Sequence, residues 1–196
     1  MFTDPVMNKL VEKHGDILWN KSFDLFYDLV ESIISQQLSV KASATIFQRF
    51  KDIFGNPDKV GTQTFPTPKQ ILKTPDKKIR AAGLSNAKVK YVKSLAEFVE
   101  TKQLILKNLK KLNDEEVIVE LTKVKGIGRW TAEMILIFSL QRPDVFSIGD
   151  LGLRKSISIL YKVDINNLKK IEKISNKWTP NRSLASRYLW KNLDNV

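Results

Sequence analysis

Apolar residues recur at the three- and four-residue spacing of an α-helix along most of this chain. The clearest segment is expected to open as a helix at Ser22, and one of its faces carries Phe23, Phe26, Tyr27, Val30, Ile33 and Ile34. A second amphipathic segment follows and contains Ala44, Phe47 and Phe50. No segment shows the sustained apolar–polar alternation of a half-buried strand. The pattern therefore predicts an all-α fold of roughly ten helices.

Glycine, proline and small polar residues mark where the predicted helices begin and end. An amphipathic segment over residues 7–18 should end as a helix near Gly15. The triplet Thr74-Pro75-Asp76 predicts a capping residue followed by proline at the first helical position. The remaining expected elements are a loop over 55–68, helices over 86–102, 165–177 and 181–193, and a break at Pro180.

Residues 121–155, LTKVKGIGRWTAEMILIFSLQRPDVFSIGDLGLRK, contain a glycine turn between two helical patterns. The helix before the turn should begin with a capping box, because Asn113 is followed three residues later by Glu116. It should end near residues 122–123. The apolar run after the turn predicts a second helix from about residue 131 to residue 140.

The turn itself has the composition of a phosphate-binding element. Gly126 and Gly128 permit backbone angles and close approach that a side chain would block. Glycine turns that open a helix leave N–H groups pointing outward, and such groups bind anions. Lys123, Lys125 and Arg129 flank the turn and add positive charge. This combination predicts a helix–hairpin–helix that holds a nucleic-acid backbone without recognising its sequence. The alternative is an ordinary corner between two helices.

Asp150 precedes an amphipathic run over residues 151–160 and is the second candidate functional feature. Its simplest role is to cap that helix. A carboxylate at the positive end of a helix is also favoured in its ionised form. In a dry cleft, an ionised carboxylate can stabilise a developing sugar cation.

Composition and charge narrow the partner class. The chain has 196 residues, of which 42% are hydrophobic and 28% are charged, as expected for one compact unit with a good core. Its net charge of +12 favours a polyanion such as DNA as the partner. The alternative explanation of that charge is a solvated, lysine-rich surface.

The absence of cysteine excludes disulfides and a cysteine-held iron–sulfur cluster. With a single histidine, His14, the sequence also argues against a zinc site. No apolar run reaches membrane-spanning length, and no signal peptide opens the chain. We therefore expect an intracellular protein without a membrane partner, cytoplasmic and nucleoid-associated in a prokaryote or nuclear in a eukaryote.

The hairpin and Asp150 together resemble a known family. The residues that carry the resemblance are VKGIGRWTAEMIL and, about twenty residues on, VFSIGDLGLRK. The match continues through ESIISQQLSVKASA, FPTPKQIL, AAGLSNAKVKYVKSLA and KWTPNRSLASRYLW. These segments resemble the helix–hairpin–helix–Gly/Pro–Asp DNA glycosylases, in particular the alkylation-repair branch of DNA-3-methyladenine glycosylase II.

The resemblance implies an architecture of two helical lobes with the active site in the cleft between them. One lobe would span about residues 22–135 and include the hairpin at 121–133. The other would combine about residues 1–21 with 136–196. The implied reaction is hydrolysis of the N-glycosidic bond of alkylated purines, 3-methyladenine and 7-methylguanine, in duplex DNA during base excision repair.

The resemblance also implies roles for individual residues. Asp150 would be catalytic and stabilise the oxocarbenium-like sugar. Trp130 would contact the cationic base in the pocket, although it could instead be a core tryptophan. Met134 stands where a bacterial relative has a pocket aromatic, and residues 180–181 replace a second pocket tryptophan. The lesion range is therefore open for hypoxanthine and ethenoadenine.

Four residues around the hairpin would bind DNA, namely Lys125, Gly126, Gly128 and Arg129, and Gln37 would be the wedge that fills the space left by the extruded nucleotide. The alternative for Gln37 is a polar residue in a turn. In relatives, Na⁺ or K⁺ can join a DNA phosphate to hairpin carbonyls; those of Thr122, Val124 and Ile127 match. The lysines at positions 88, 90 and 93 fall near one side of their helix, as either a DNA-facing edge or a solvated face.

Position 130 separates two reaction types. Bifunctional glycosylase–lyases of this superfamily have a lysine nucleophile where Trp130 stands, so its absence predicts a monofunctional enzyme. We expect it to act as a monomer on damaged double-stranded DNA. Two other functions stay open from the sequence, namely a glycosylase for oxidised or mismatched bases and a non-catalytic DNA-binding module.

Overall fold

The computed structural model describes residues 2–18, 24–55 and 65–193, and within these ranges it contains helices and no strand. The all-α prediction is therefore confirmed. The α-helices of the described residues are α1 (Pro5–His14), α2 (Leu25–Ser35), α3 (Val40–Asp52), α4 (Pro68–Lys73), α5 (Asp76–Arg80), α6 (Asn86–Glu100), α7 (Asp114–Thr122), α8 (Arg129–Met134), α9 (Leu151–Tyr161), α10 (Leu168–Ser175) and α11 (Arg182–Leu193). Short 3₁₀ turns occupy Leu106–Lys111 and Asn176–Trp178, and a π-helical turn occupies Ile135–Ser139.

The chain divides into two compact units. One comprises residues 22–132, and the other combines residues 1–21 with 133–196. The family resemblance implied a boundary between the lobes near residue 135. The active-site cleft that the resemblance also implied between the two lobes stays a prediction.

The 22–132 unit is built around the apolar face of α2. Helix α2 packs against α3 and α6, and α4 packs along α6. Its fully buried side chains include Leu29, Ile33, Ile34, Ile71, Val92, Leu95 and Leu121. Aromatic rings from α2 and α3 meet at one end, where Phe47 lies 5.0 Å from Tyr27 in an edge-on arrangement. This core supports the hairpin, which lies at the C-terminal end of the unit.

In the other unit, α9 and α1 both pack against α11. The buried cluster contains Met7, Leu153, Ile157, Leu189 and Trp178. Asp4 caps α1 from within this core and is only 6% exposed. Its carboxylate accepts hydrogen bonds from the Tyr161 hydroxyl at 2.8 Å and the Trp178 indole N–H at 3.2 Å. These bonds satisfy a carboxylate that would otherwise be costly to bury.

Two predicted helix starts differ in the structure because other groups provide the caps. Helix α2 begins at Leu25 with Asp24 as its N-cap, so the prediction that it opens at Ser22 is wrong; residues 19–23 lie outside the described ranges. Helix α10 begins at Leu168 rather than near residue 165, because the Asn167 side chain accepts the Lys170 N–H at 3.1 Å. Of the predicted 55–68 loop, residues 56–64 also lie outside the described ranges.

The cap predicted at Thr74 is also wrong. Pro75 occupies the N-cap position of α5, which has no side-chain cap. The Thr74 hydroxyl instead donates to the Gln70 carbonyl at 2.8 Å, so it completes the end of the preceding helix. None of the helices in the described parts of the chain has the length and apolar character that crossing a bilayer requires.

Candidate functional site

The hairpin lies between α7 and α8, as the sequence predicted. The Asn113–Glu116 capping box is present in both directions, with hydrogen bonds of 2.9 and 2.8 Å. Helix α7 ends at Thr122, and α8 begins at Arg129. Between them, the Ile127 N–H donates to the Val124 carbonyl at 3.0 Å and closes the turn.

The structure explains the presence of glycine differently at the two hairpin positions. Gly126 adopts φ +93°, and a Cβ added there would lie 2.2 Å from Cγ of Tyr91. Only glycine fits, because both the backbone angle and the tyrosine ring exclude a side chain. A Cβ on Gly128 would meet nothing within 4 Å, so neither steric packing nor a positive φ requires that glycine. Its exposed backbone is open to approach by a ligand.

Gln36, which the sequence analysis did not select, ties the hairpin to the α2–α3 junction. Its side-chain amide donates to the Gly126 carbonyl at 2.9 Å and to the Thr131 hydroxyl at 3.3 Å. The Lys88 ammonium donates to the carbonyls of Ile34 at 2.8 Å and Gln36 at 2.7 Å. These bonds satisfy carbonyls at the end of α2. The junction and the hairpin are therefore braced by one network within the 22–132 unit.

Lys88 is not the solvated lysine that one of the two interpretations of residues 88, 90 and 93 predicted. It is half-buried, and burial lowers the pKa of its amine. Lys93 forms an ion pair with Asp76, and Lys90 is exposed. A uniformly solvated lysine face is therefore an incorrect description of these three residues, and the DNA-facing edge stays a prediction.

Gln37 occupies the tip of the turn between α2 and α3. It is exposed and adopts φ +57°, the left-handed region that non-glycine residues rarely visit. The tight turn explains this angle, since the Leu38 N–H donates to the Ser35 carbonyl at 3.1 Å. Gln37, Lys88 and both hairpin glycines line one groove of this unit. The predicted wedge and the predicted phosphate-binding turn thus share a surface.

The basic residues of the hairpin differ in their surroundings. Lys125 is exposed. Arg129 is also exposed, but its guanidinium forms two 2.8 Å hydrogen bonds with Glu115. These bonds hold the pKa of the Glu115 carboxyl below its usual range. A phosphate reaching Arg129 would compete with Glu115, and this competition was not apparent from the sequence.

Asp150 caps α9, as its position before the helix predicted. One carboxylate oxygen, Oδ1, accepts the Leu153 N–H at 2.8 Å and the Trp190 indole N–H at 3.0 Å. The side chain is half-buried. The capping and catalytic interpretations are compatible, because one group can serve both.

Trp190 is the main site residue that the sequence analysis missed. The Phe138 ring stacks on its indole with centroids 5.6 Å apart and planes 30° apart. Phe138 lies in the π-helical turn, a feature frequent at functional sites. The segment KWTPNRSLASRYLW carries part of the family resemblance, but a tryptophan in a helix is more often a core residue, and nothing local joins Trp190 to Asp150.

A buried carboxylate supports the loop before Asp150. Glu133 is 6% exposed and accepts a 2.5 Å hydrogen bond from the fully buried Ser147 hydroxyl. The Ser147 carbonyl accepts the Asp150 N–H at 3.0 Å. This chain of bonds fixes the backbone from which the Asp150 side chain projects.

The two predicted pocket residues lie at opposite ends of α8. Trp130 is 43% exposed, so the alternative that it is a core tryptophan is wrong. Trp178, at 1% exposed, is the core tryptophan of this chain's 133–196 segment. Met134 is half-buried and ends α8. Trp130 belongs to the 22–132 unit, whereas Met134 and Asp150 belong to the other.

The sequence matches the HhH-GPD superfamily of base excision DNA repair proteins over residues 30–181. It is also 37% identical over 197 residues to a Schizosaccharomyces pombe protein named DNA-3-methyladenine glycosylase 1, an alignment that covers 96% of this chain and 82% of that protein. These matches confirm the resemblance that the hairpin and Asp150 predicted.

Solved structures give the same result. The structure of the S. pombe 3-methyladenine DNA glycosylase in complex with abasic DNA has a TM-score of 0.85 at 36% identity, covering 98% of this chain and 93% of that one. A DNA-3-methyladenine glycosidase from Bacillus halodurans has a TM-score of 0.81 at 34% identity, covering 96% and 84%.

Proposed function

Because the chain belongs to the HhH-GPD superfamily of base excision DNA repair proteins, we propose that it is a monofunctional DNA glycosylase. It removes alkylated purines, 3-methyladenine and 7-methylguanine, from duplex DNA by hydrolysing the N-glycosidic bond. The relatives named DNA-3-methyladenine glycosylase support this lesion class. The single structural observation that carries the proposal is Asp150, a half-buried carboxylate fixed by two N–H donors.

The chemistry suits a site with one carboxylate and little acid catalysis. Alkylation at N3 or N7 makes the purine cationic and therefore a good leaving group. The bond between C1′ of the sugar and the base nitrogen breaks, and the bonding electrons leave with the base. The ionised Asp150 carboxylate stabilises the positive charge that develops on the sugar. Water then adds to C1′ and releases its extra proton to solvent, which leaves an abasic site.

Access to that bond requires extrusion of the nucleotide, which costs a few kcal/mol and less for a damaged pair. Gln37, at the exposed tip of its turn, fills the vacated space in this proposal. Its amide can also hydrogen-bond the unpaired base, which an apolar wedge could not. The exposed indole of Trp130 contacts the cationic purine, an interaction worth about 2 kcal/mol or more when desolvated.

The hairpin holds the DNA backbone through the N–H groups of Gly126 and Gly128, with Lys125 and Arg129 nearby. The carbonyl oxygens of Thr122, Val124 and Ile127 would hold Na⁺ or K⁺ when DNA is bound. Neutral carbonyl oxygens and anionic phosphate oxygens suit such hard cations, and the Val124 oxygen, which accepts one N–H, has a second lone pair. The cation would neutralise part of the phosphate charge.

We also propose a monomer that leaves the abasic strand intact. A lyase reaction needs an amine that attacks the sugar and forms a Schiff base. Trp130 stands at the position of that amine in bifunctional relatives and cannot act in this way.

The deciding measurement is release of free bases from methylated duplex DNA by the wild-type protein and Asp150→Asn. Asparagine caps a helix about as well as aspartate, so folding and DNA binding should persist. Release of 3-methyladenine should fall by about 10²–10³-fold, the range for loss of one electrostatic stabiliser.

Other outcomes would overturn the proposal. Tight DNA binding by the wild type without release of any base would leave the hairpin as a binding module. Release only of oxidised or mismatched bases from a substrate panel would change the lesion class. Strand cleavage that accompanies base release would contradict the monofunctional assignment.

A further inference from the structure

We infer that Trp190 is a positioning residue for Asp150, whose carboxylate it orients through the indole N–H. The inference rests on the proposed function, because it takes Asp150 as the group that faces the reacting sugar. Trp190 lies on α11 and Asp150 at the start of α9, forty residues apart in the chain.

The hydrogen bonds define the orientation of the carboxylate. Both the Leu153 N–H and the Trp190 indole N–H donate to Oδ1, at 2.8 and 3.0 Å. The first donor belongs to the same helix end, and a capping aspartate with that bond alone can still rotate its side chain. The second donor comes from another helix and fixes where Oδ1 lies. Because the carboxylate is planar, the direction of Oδ2 is then fixed as well.

Gly152 makes this contact sterically feasible. A Cβ at this position would lie 3.1 Å from Oδ1 of Asp150 and 3.3 Å from Cδ1 of Trp190. Such distances are too short for ordinary van der Waals contact. The glycine does not have a positive φ that would otherwise demand it. Its lack of a side chain therefore lets the indole approach the carboxylate.

The indole is itself held in place. The Phe138 ring stacks on it from the π-helical turn and is 43% exposed. Offset aromatic stacking adds to the energy of burial. An indole fixed on one face has few rotamers left, so its N–H is directed at Oδ1 before substrate binds. This preorganisation is what a group acting on a transition state requires.

The chain contains a matched control for this contact. Trp178 also donates its indole N–H to a helix-capping aspartate, Asp4, at 3.2 Å. That pair is buried in the core of the same unit and has no role in the proposed reaction. Replacing each tryptophan with phenylalanine removes the same N–H group from two chemically similar sites.

We expect Trp190→Phe to lower the single-turnover rate constant for 3-methyladenine release by about 10–100-fold, since small misplacements of catalytic groups have effects of this size. The dissociation constant for duplex DNA with a stable abasic analogue should change by less than about threefold. Trp178→Phe should lower the melting temperature and leave the rate constant unchanged. Equal rate constants for Trp190→Phe and wild type would overturn the inference.

Combining Trp190→Phe with Asp150→Asn separates this inference from the proposed function. If Trp190 acts through Asp150, the double variant should be no slower than Asp150→Asn alone. Additive losses would show that Trp190 acts independently and would overturn the inference, while Asp150 keeps its role. An Asp150→Asn variant as fast as wild type would contradict both.

A readout besides activity keeps the test decisive if Trp190→Phe does not fold. The indole ¹H–¹⁵N NMR signal of Trp190 can be assigned by through-bond correlations within its own side chain. This signal should shift upfield in Asp150→Asn, because the hydrogen bond from the indole N–H then has a neutral acceptor instead of a charged one. The Trp178 signal should stay in place. An unchanged Trp190 signal would show that the contact is absent in solution and would overturn the inference.

Discussion

Asp4 and Asp150 have nearly the same local chemistry and opposite surroundings. Each caps a helix, and each accepts one backbone N–H and one tryptophan indole N–H. Asp4 is 6% exposed and receives a third bond from Tyr161, whereas Asp150 is half-buried. Under the proposal that Asp150 is catalytic, the difference teaches that the hydrogen-bond pattern alone does not mark a reactive carboxylate. In that proposal, access to substrate decides whether the same pattern serves stability or catalysis.

The largest expected effect is on stability and concerns Asp4→Ala. The substitution removes a cap, worth about 1 kcal/mol, and leaves the Tyr161 hydroxyl and Trp178 N–H without their acceptor at about 1–3 kcal/mol each. The free energy of unfolding, measured by urea denaturation, should therefore fall by about 3–7 kcal/mol. At urea concentrations below the unfolding transition, the rate constant for base release should stay close to the wild-type value.

Asp4→Asn provides the milder control, because an amide oxygen can still cap α1. A loss of base release in folded Asp4→Ala that matched the loss in Asp150→Asn would remove the distinction between the two sites.

The next effect concerns Gly152, which stands two residues after Asp150 where Val6 stands two residues after Asp4. Gly152→Ala should displace the Asp150 carboxylate or Trp190 and slow base release by about tenfold. Alanine is otherwise favoured over glycine within a helix, so thermal unfolding should change little. The matched variant Gly149→Ala adds a Cβ that meets nothing within 4 Å. If both alanine variants released bases at the same rate, crowding of Asp150 and Trp190 by the added Cβ would be excluded as a cause of slower base release.

An effect of similar size concerns a third aspartate, Asp144, which pairs with the Arg182 guanidinium rather than with a tryptophan. Asp144 accepts the Arg182 backbone N–H at 3.2 Å and two guanidinium bonds at 2.8 and 3.0 Å. Burial by itself would raise the pKa of Asp144, but the bonds from Arg182 outweigh burial and hold this pKa below its usual value.

A depressed pKa in the folded state gives Asp144 a definite pH dependence. Its contribution to stability is present above the unfolded pKa of about 3.9 and is lost as the pH falls through the lower folded value. Asp144→Asn should therefore be less stable than wild type at neutral pH, by about 1–2 kcal/mol. The difference in urea midpoint should shrink below pH ~4. A difference that is constant with pH would contradict this account.

Features determined by neighbouring residues could be predicted from the sequence. The Asn113–Glu116 capping box, the end of α7 and the turn at Gly126 all depend on contacts within a few residues. The same is true of Asp150 as the cap of α9. Local hydrogen bonding in such motifs is specified by residue type and spacing, so the sequence identifies them.

Features that depend on tertiary packing could not be predicted. Gln36 and Gly126 are ninety residues apart, and Trp190 is forty residues from Asp150. Nothing near Gln36 distinguishes an amide that braces a hairpin from one in an ordinary turn. The cap predicted at Thr74 failed for a local reason instead, since its hydroxyl donates to the Gln70 carbonyl of the preceding helix rather than to the helix that follows.

The π-helical turn at Ile135–Ser139 has a consequence for chain length. Its wide turn is equivalent to one residue inserted into a regular helix. Each α-helical residue advances about 100° around the axis, so deleting a single codon there would let the helix wind regularly but would turn Phe138 away from Trp190. A substitution in the same turn changes one side chain, whereas the deletion changes the register of every residue that follows. Proteins that keep the stacked rings should therefore tolerate changes of residue at this turn more readily than changes of its length.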